Sequence, residues 1–214
     1  MILSLSILNA DLDHLDEFFK PINYCPLIHM DIMDGKFVPE TSFNEITVKK
    51  AYLINPRSII DVHLMVENPD PLFELYKDSY ADYITFHYEV GDVKRRIEKI
   101  HSLGIKAGIS INPLTDVKVL EPFLSSVDYI LVMSVYPGLG GQKYLDQATE
   151  KLRYLKDYKN NHHLHYLISV DGGINMDTYL KVKPYTDIAV VGSAITKAQD
   201  YVAMYQEFFH KFLS

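Results

Sequence analysis

The stretch Tyr83–Ile111, YITFHYEVGDVKRRIEKIHSLGIKAGISI, decides the fold. It opens on a run of strand length, Tyr83–His87, rich in β-branched and aromatic residues. The period then changes. Val93, Ile97, Ile100 and Leu103 recur at helical spacing, an apolar stripe on a segment that is otherwise charged. A second apolar run follows at Ala107–Ile111. Strand, helix and strand in this order make one βα unit and the start of the next.

The same alternation extends in both directions. Strands are expected at Ile2–Ile7, Leu27–Asp31, Ile59–Leu64, Tyr83–His87, Ala107–Ile111, Tyr129–Met133, Leu167–Val170 and Ile188–Val191. Helical segments lie between them, among them Leu12–Phe19, Pro71–Tyr80, Val93–Leu103, Val117–Leu124, Leu145–Tyr158 and Tyr201–Phe212. The strands are continuously apolar, as strands buried on both faces are. Eight βα units with no surplus element predict an α/β fold: a closed (β/α)8 TIM barrel of eight parallel strands, one domain over residues 1–214. The alternative is an open doubly wound sheet, which more often has fewer strands and carries glycines after the first. Here that position reads Leu8-Asn9-Ala10-Asp11.

Composition excludes several classes. At 48% hydrophobic, the chain can bury a sizeable core and is not disordered. A formal charge of −7 argues against nucleic acid or an anionic membrane as partner. No run reaches the roughly 18 apolar residues of a membrane span, and the start MILSLSILNADLD lacks the basic region of a signal peptide. Cys25 is the single cysteine, so it reads as a small buried residue, and a chain without disulfides suits the cytoplasm.

In such a barrel, chemistry sits where strands end at the C-terminal mouth. The ionisable residues gather there. Strand two ends in His29-Met30-Asp31-Ile32-Met33-Asp34-Gly35, strand three in Asp61-Val62-His63-Leu64-Met65, strand four in His87, and strand seven in Asp171-Gly172-Gly173. Strand alternation puts His29, Asp31 and Met33 on one face, and His63 with Met65. Two imidazoles and a carboxylate then converge, and Asp171 adds a second carboxylate from the opposite wall. This mixed nitrogen and oxygen set suits one divalent ion, Zn, Fe, Mn or Co, better than Ca or Mg. A lone strand-end histidine is more often packing; four such residues at corresponding ends are not. Asp34 reads as a turn residue, Asp61 as a helix or loop partner at the start of the site, and His87 as packing or as support behind the site residues, with no partner assigned. His162, His163 and His165 read as surface at the other end.

The glycines carry a second signal. Pro137-Gly138-Leu139-Gly140-Gly141-Gln142 follows strand six, Gly172-Gly173 strand seven and Gly192-Ser193-Ala194 strand eight. Glycine lets backbone approach a ligand closely, and loops seven and eight of a barrel are where phosphate is bound by amide groups. Apart from Lys143, these loops have few basic residues.

Together these motifs resemble the ribulose-phosphate 3-epimerase family. The resemblance rests on Ser6-Ile7-Leu8, on His29-x-Asp31-x-Met33-Asp34-Gly35-x-Phe37-Val38-Pro39 and on Asp61-Val62-His63-Leu64-Met65. It continues in Met133-Ser134-Val135-x-Pro137-Gly138-x-Gly140-Gly141-Gln142, Val170-Asp171-Gly172-Gly173-Ile174 and Gly192-Ser193-Ala194-Ile195, so it spans residues 2 to about 196. It implies a divalent metal held by His29, Asp31, His63 and Asp171, with Asp31 and Asp171 also the acid/base pair. The substrate, a small phosphorylated ketose, would contact Ser6, His29, His63 and Asp171. Met33, Met65 and Met133 would line the site. Gly138, Leu139, Gly140, Gly141, Gly172, Gly173, Gly192 and Ser193 would hold its phosphate.

The implied reaction interconverts D-ribulose 5-phosphate and D-xylulose 5-phosphate, in the pentose phosphate pathway, through a metal-stabilised 2,3-enediolate. The segments Gly35–Asn44 and Tyr136–Lys143 would close over the substrate. The resemblance also implies a homo-oligomer. Three positions depart from the family pattern: Leu5 in place of Pro, Asn9 in place of a small residue, and Leu139 in place of Phe. D-allulose-6-phosphate 3-epimerases share the framework and are the first alternative. A phosphate-sugar decarboxylase would have Asp-x-Lys-x-x-Asp at strand three, unlike Asp61-Val62-His63-Leu64-Met65. A non-catalytic phosphosugar-binding barrel is the third.

Overall fold

The computed structural model describes residues 1–22 and 24–213. Among them, eight parallel strands close into a barrel in sequence order. They are β1 (Ile2–Ser6), β2 (Leu27–Met33), β3 (Ile59–Met65), β4 (Tyr83–His87), β5 (Lys106–Ile111), β6 (Tyr129–Met133), β7 (Leu167–Asp171) and β8 (Ile188–Val191). β1 pairs with both β2 and β8, which closes the ring and leaves no open edge.

The helices are α1 (Leu15–Phe19), α2 (Glu45–Ile54), α3 (Leu72–Lys77), α4 (Val93–Ser102), α5 (Gln147–Asn161), α6 (Tyr179–Val182), α7 (Ser193–Thr196) and α8 (Tyr201–Leu213). The stripe on α4 is buried as the sequence predicts, with Val93, Ile97 and Ile100 facing the sheet. The expected helix at Val117–Leu124 is a 3₁₀ segment, Val117–Phe123. Pro122 lies inside it, lacks an N–H, and disfavours α geometry at the preceding residue. α1 starts three residues later than Leu12, because the Asp11 carboxylate accepts the Asp13 N–H in a tight turn.

The core is layered. Outward-facing strand residues such as Ile28, Ile60, Ile84, Ile109, Ile130 and Ile168 pack under the helices. A smaller cluster fills the barrel itself, with Leu27, Tyr83, Tyr129, Leu131, Ile188 and Val190. Gly108 has no side chain because Thr85 and the Tyr129 ring occupy the space a Cβ would need. The Tyr129 hydroxyl thereby reaches across the barrel to Asp61. Cys25 is buried and free, and its thiol donates to the Leu27 carbonyl at 3.3 Å. No described helix is long and apolar enough to cross a membrane.

Candidate active site

β2 and β3 run one residue or more beyond their expected ends, and that extension builds the site. Their register sets His29 beside Asp61, Asp31 beside His63 and Met33 beside Met65. Alternation turns all six into the barrel. The side chains lock together. His29 Nδ1 is 2.8 Å from Asp61 Oδ2, and His29 Nε2 is 3.1 Å from Asp31 Oδ1. The same Asp31 oxygen is 3.1 Å from His63 Nδ1. The other oxygen of Asp31 accepts a hydrogen bond from the Ser6 hydroxyl at 2.9 Å, from the end of β1. Asp171, at the end of β7, completes the group: one ligand atom from each of His29, Asp31, His63 and Asp171 lies within 4.8 Å of all the others. Asp171 reaches the group from across the barrel: β7 stands three strands round the ring from β2, past β1 and β8.

Burial sets the electrostatics. It pushes the Asp171 carboxyl up, and the charge of Asp31 nearby adds to that. Burial would raise Asp31 also, but the charge and hydrogen bond of His29, with those of His63, outweigh it and hold Asp31 well below the usual range. His29 loses from burial and gains more from Asp31 and Asp61, so its pKa stands well above normal. Burial brings His63 down to about 4.

The donor set fits a divalent cation. Asp61 as a carboxylate can only accept, so a neutral His29 carries its proton on Nδ1 and turns a bare Nε2 toward Asp31 Oδ1, another acceptor. Two facing acceptors are stable only with a proton or a cation between them. Two imidazoles and two carboxylates suit a borderline transition ion.

A cavity opens above this quartet. Ser6, Asp31, Met33, Met65, Met133 and Asp171 form its floor and sides. Gly138, Leu139, Gly140, Gly141, Gly172, Gly173, Gly192 and Ser193 line it as well, so the three glycine loops do meet at one place. His29 and His63 do not line it; both are fully buried. Leu139 stands on the rim, 60% exposed. Gly172 has φ +114° and its absent Cβ would strike Val135; Gly173 has φ +64° and would strike the Tyr144 backbone. Only glycine serves at either position. Gln142 holds the first loop by donating to the carbonyls of Tyr136 (2.6 Å) and Leu139 (2.8 Å).

Several residues have other surroundings than their spacing suggests. Asp34 accepts the N–H groups of Lys36, Phe37 and Glu67, which confirms a turn residue. Asp61 is fully buried at the heart of the network, not at its edge; the signal was its place two residues before His63, on the same face. Asn9 lies against Gly140 and lines the cavity. His87 is joined to His63, Nε2 to Nε2 at 2.9 Å, and its Nδ1 is 3.3 Å from Glu89 Oε2. Burial would raise Glu89, but hydrogen bonds from His87, Thr115 and the Asn112 N–H lower it to about 2.

Residues 2–196 match the model of the ribulose-phosphate 3 epimerase family. The chain belongs to the ribulose-phosphate 3-epimerase family. A ribulose-phosphate 3-epimerase of Methanocaldococcus jannaschii is 39% identical over 199 residues, covering 91% of this chain and 84% of that one. One of Aquifex aeolicus is 38% identical over 181 residues, covering 83% and 80%. Membership makes the chain an enzyme of the epimerase class. Among solved structures, KGPDC from Streptococcus mutans superposes with a TM-score of 0.70 over 99% of this chain and 98% of that one, at 13% identity. That likeness shows the shared barrel alone.

Proposed function

We propose that this barrel interconverts D-ribulose 5-phosphate and D-xylulose 5-phosphate by moving the proton on carbon 3. The observation that carries this reading is a pair of carboxylates, Asp31 and Asp171, with oxygens within 4.8 Å of each other, in a cavity that three glycine loops also line. Inversion at C3 requires a proton to leave one face and return to the other. One group cannot easily serve both faces; two carboxylates can, one accepting as the other donates, with roles exchanged in the reverse direction.

Ser6 holds Asp31 in place through its oxygen Oδ2. Met33, Met65 and Met133 keep water from the reacting carbon and adapt to a planar intermediate. The amides of the Gly138–Gly141, Gly172–Gly173 and Gly192–Ser193 loops bind the phosphate. The segments 35–44 and Tyr136–Lys143 close over it. His29, Asp31, His63 and Asp171 would hold one divalent ion, Zn, Fe, Mn or Co, which when bound supplies Lewis-acid stabilisation of charge on the substrate oxygens. Residues 1–214 act as one catalytic unit in the cytoplasm, as a homo-oligomer.

Asn9 and Leu139 both line the cavity and both depart from the family pattern, which favours D-allulose 6-phosphate as the second substrate to try. Turnover of the two ketose phosphates, measured side by side, decides between them. The reading predicts faster turnover of ribulose 5-phosphate, and loss of that turnover on chelation with recovery on adding Zn²⁺, Mn²⁺ or Co²⁺. Preference for allulose 6-phosphate would overturn the substrate assignment. A rate indifferent to chelation would overturn the metal assignment.

A further inference from the structure

The proposed chemistry makes no use of two groups beside the quartet. One is His87, at the end of β4; the other is Glu89, in the 3₁₀ turn Tyr88–Val90 that follows it. His87 is fully buried, and the Phe37 ring covers it with centroids 4.6 Å apart. Its two nitrogens are both engaged, Nε2 with His63 Nε2 at 2.9 Å and Nδ1 with Glu89 Oε2 at 3.3 Å. The second oxygen of Glu89 accepts the Asn112 N–H at 2.8 Å and the Thr115 hydroxyl. Glu89 is therefore fixed by the β5 loop and cannot follow His87 if the ring turns.

These contacts determine where the protons sit. A carboxylate accepts only, so the nitrogen of His87 that meets Glu89 carries a hydrogen. Neutral His87 then offers a bare Nε2. Two nitrogens 2.9 Å apart need one hydrogen between them, so His63 carries its own on Nε2. Nδ1 of His63, the nitrogen 3.1 Å from Asp31 Oδ1, is left with a free lone pair aimed at the quartet.

We propose that His87 and Glu89 are positioning residues: they fix His63 in its Nε2-protonated tautomer and so present the Nδ1 lone pair to a divalent cation. This rests on the reading that the quartet holds such an ion. Asp61 does the same for His29 in one step, itself anchored by the hydroxyls of Tyr129 (3.0 Å) and Thr85 (3.3 Å). On β3 and β4 a second imidazole is interposed. Partners of this kind keep a ligand's ring oriented and basic, and their loss typically weakens metal binding about 10–100-fold.

The test uses the full chain stripped of metal and titrated with Zn²⁺ against a competing chelator, with long-range ¹H–¹⁵N spectra of the histidines in the Zn²⁺-loaded protein. His63 is expected to be protonated on Nε2 and His87 on Nδ1. His87→Phe should bind Zn²⁺ about 10–100-fold more weakly, with the visible bands of its Co²⁺ form displaced. His87→Gln, whose amide oxygen can accept the His63 proton, should recover most of both. Equal weakening in His87→Gln would assign His87 to packing and overturn the proposal, as would wild-type Zn²⁺ affinity in His87→Phe. If His87→Phe does not fold, the wild-type spectrum decides: a proton on His63 Nδ1 in the loaded protein overturns the relay. Failure of the wild-type chain to bind Zn²⁺ or Co²⁺ would instead refute the cation reading, and the relay with it.

Discussion

Along β2, β3 and β4 the barrel mouth is built of side chains, joined in an unbroken series from Asp61 through His29, Asp31, His63 and His87 to Glu89. Along β6, β7 and β8 it is built of backbone, with Gly138, Gly140, Gly141, Gly172, Gly173 and Gly192 around the cavity. The two constructions suit two demands of the proposed reaction. Proton transfer needs ionisable groups held to a fraction of an ångström, and hydrogen bonds between buried polar groups achieve that. A phosphate needs several N–H groups at close range, and any Cβ there would be in the way. Asp171 stands where the two meet, on the backbone side but within reach of the polar side.

Breaking the polar side at the chemistry should have the largest effect. Asp31→Asn or Asp171→Asn is expected to lower kcat about 10²–10⁴-fold, while inorganic phosphate still competes for the cavity. Loss of phosphate binding in both would mean that the two sides do not work independently. Breaking the backbone side comes next. Gly173→Ala forces a Cβ against the Tyr144 backbone at a positive φ, at a cost of about 1–3 kcal/mol. A lower Tm and a raised KM should report it, and an unchanged KM would detach this loop from the substrate.

Ser6→Ala removes one hydrogen bond to Asp31. With about 0.5–1.5 kcal/mol at stake, kcat should fall by about tenfold at most, with KM little changed. Lys197 should matter least. Its Nζ is 3.9 Å from where a Cβ on Gly141 would stand, but the residue is exposed. Lys197→Met should raise KM by less than about fivefold, since an exposed charge is worth about 0–1 kcal/mol. The effect should shrink with added salt.

The same contrast explains what the sequence disclosed. Period and strand-end position revealed the barrel, the grouping of His29, Asp31, His63 and Asp171, and the glycine loops, because each depends on spacing along one strand or turn. Relations between strands were hidden. Asp61 pairs with His29 across a register that spacing does not reveal, and the His63–His87 contact joins β3 to β4. Tyr129 meets Asp61 from the far side of the barrel, at a sequence distance of 68 residues. Short helices were equally faint: α6 and α7 have four residues each, too few to show a period. Pro122 was visible, and its effect on the segment Val117–Phe123 could have been read.

Two-carboxylate inversion at C3 is tested most directly by incubating the enzyme with D-ribulose 5-phosphate in D₂O and following C3 by NMR. Wild type should yield D-xylulose 5-phosphate carrying deuterium at C3, and neither Asp31→Asn nor Asp171→Asn should yield it at a comparable rate. Inversion at the wild-type rate by either variant would contradict the account.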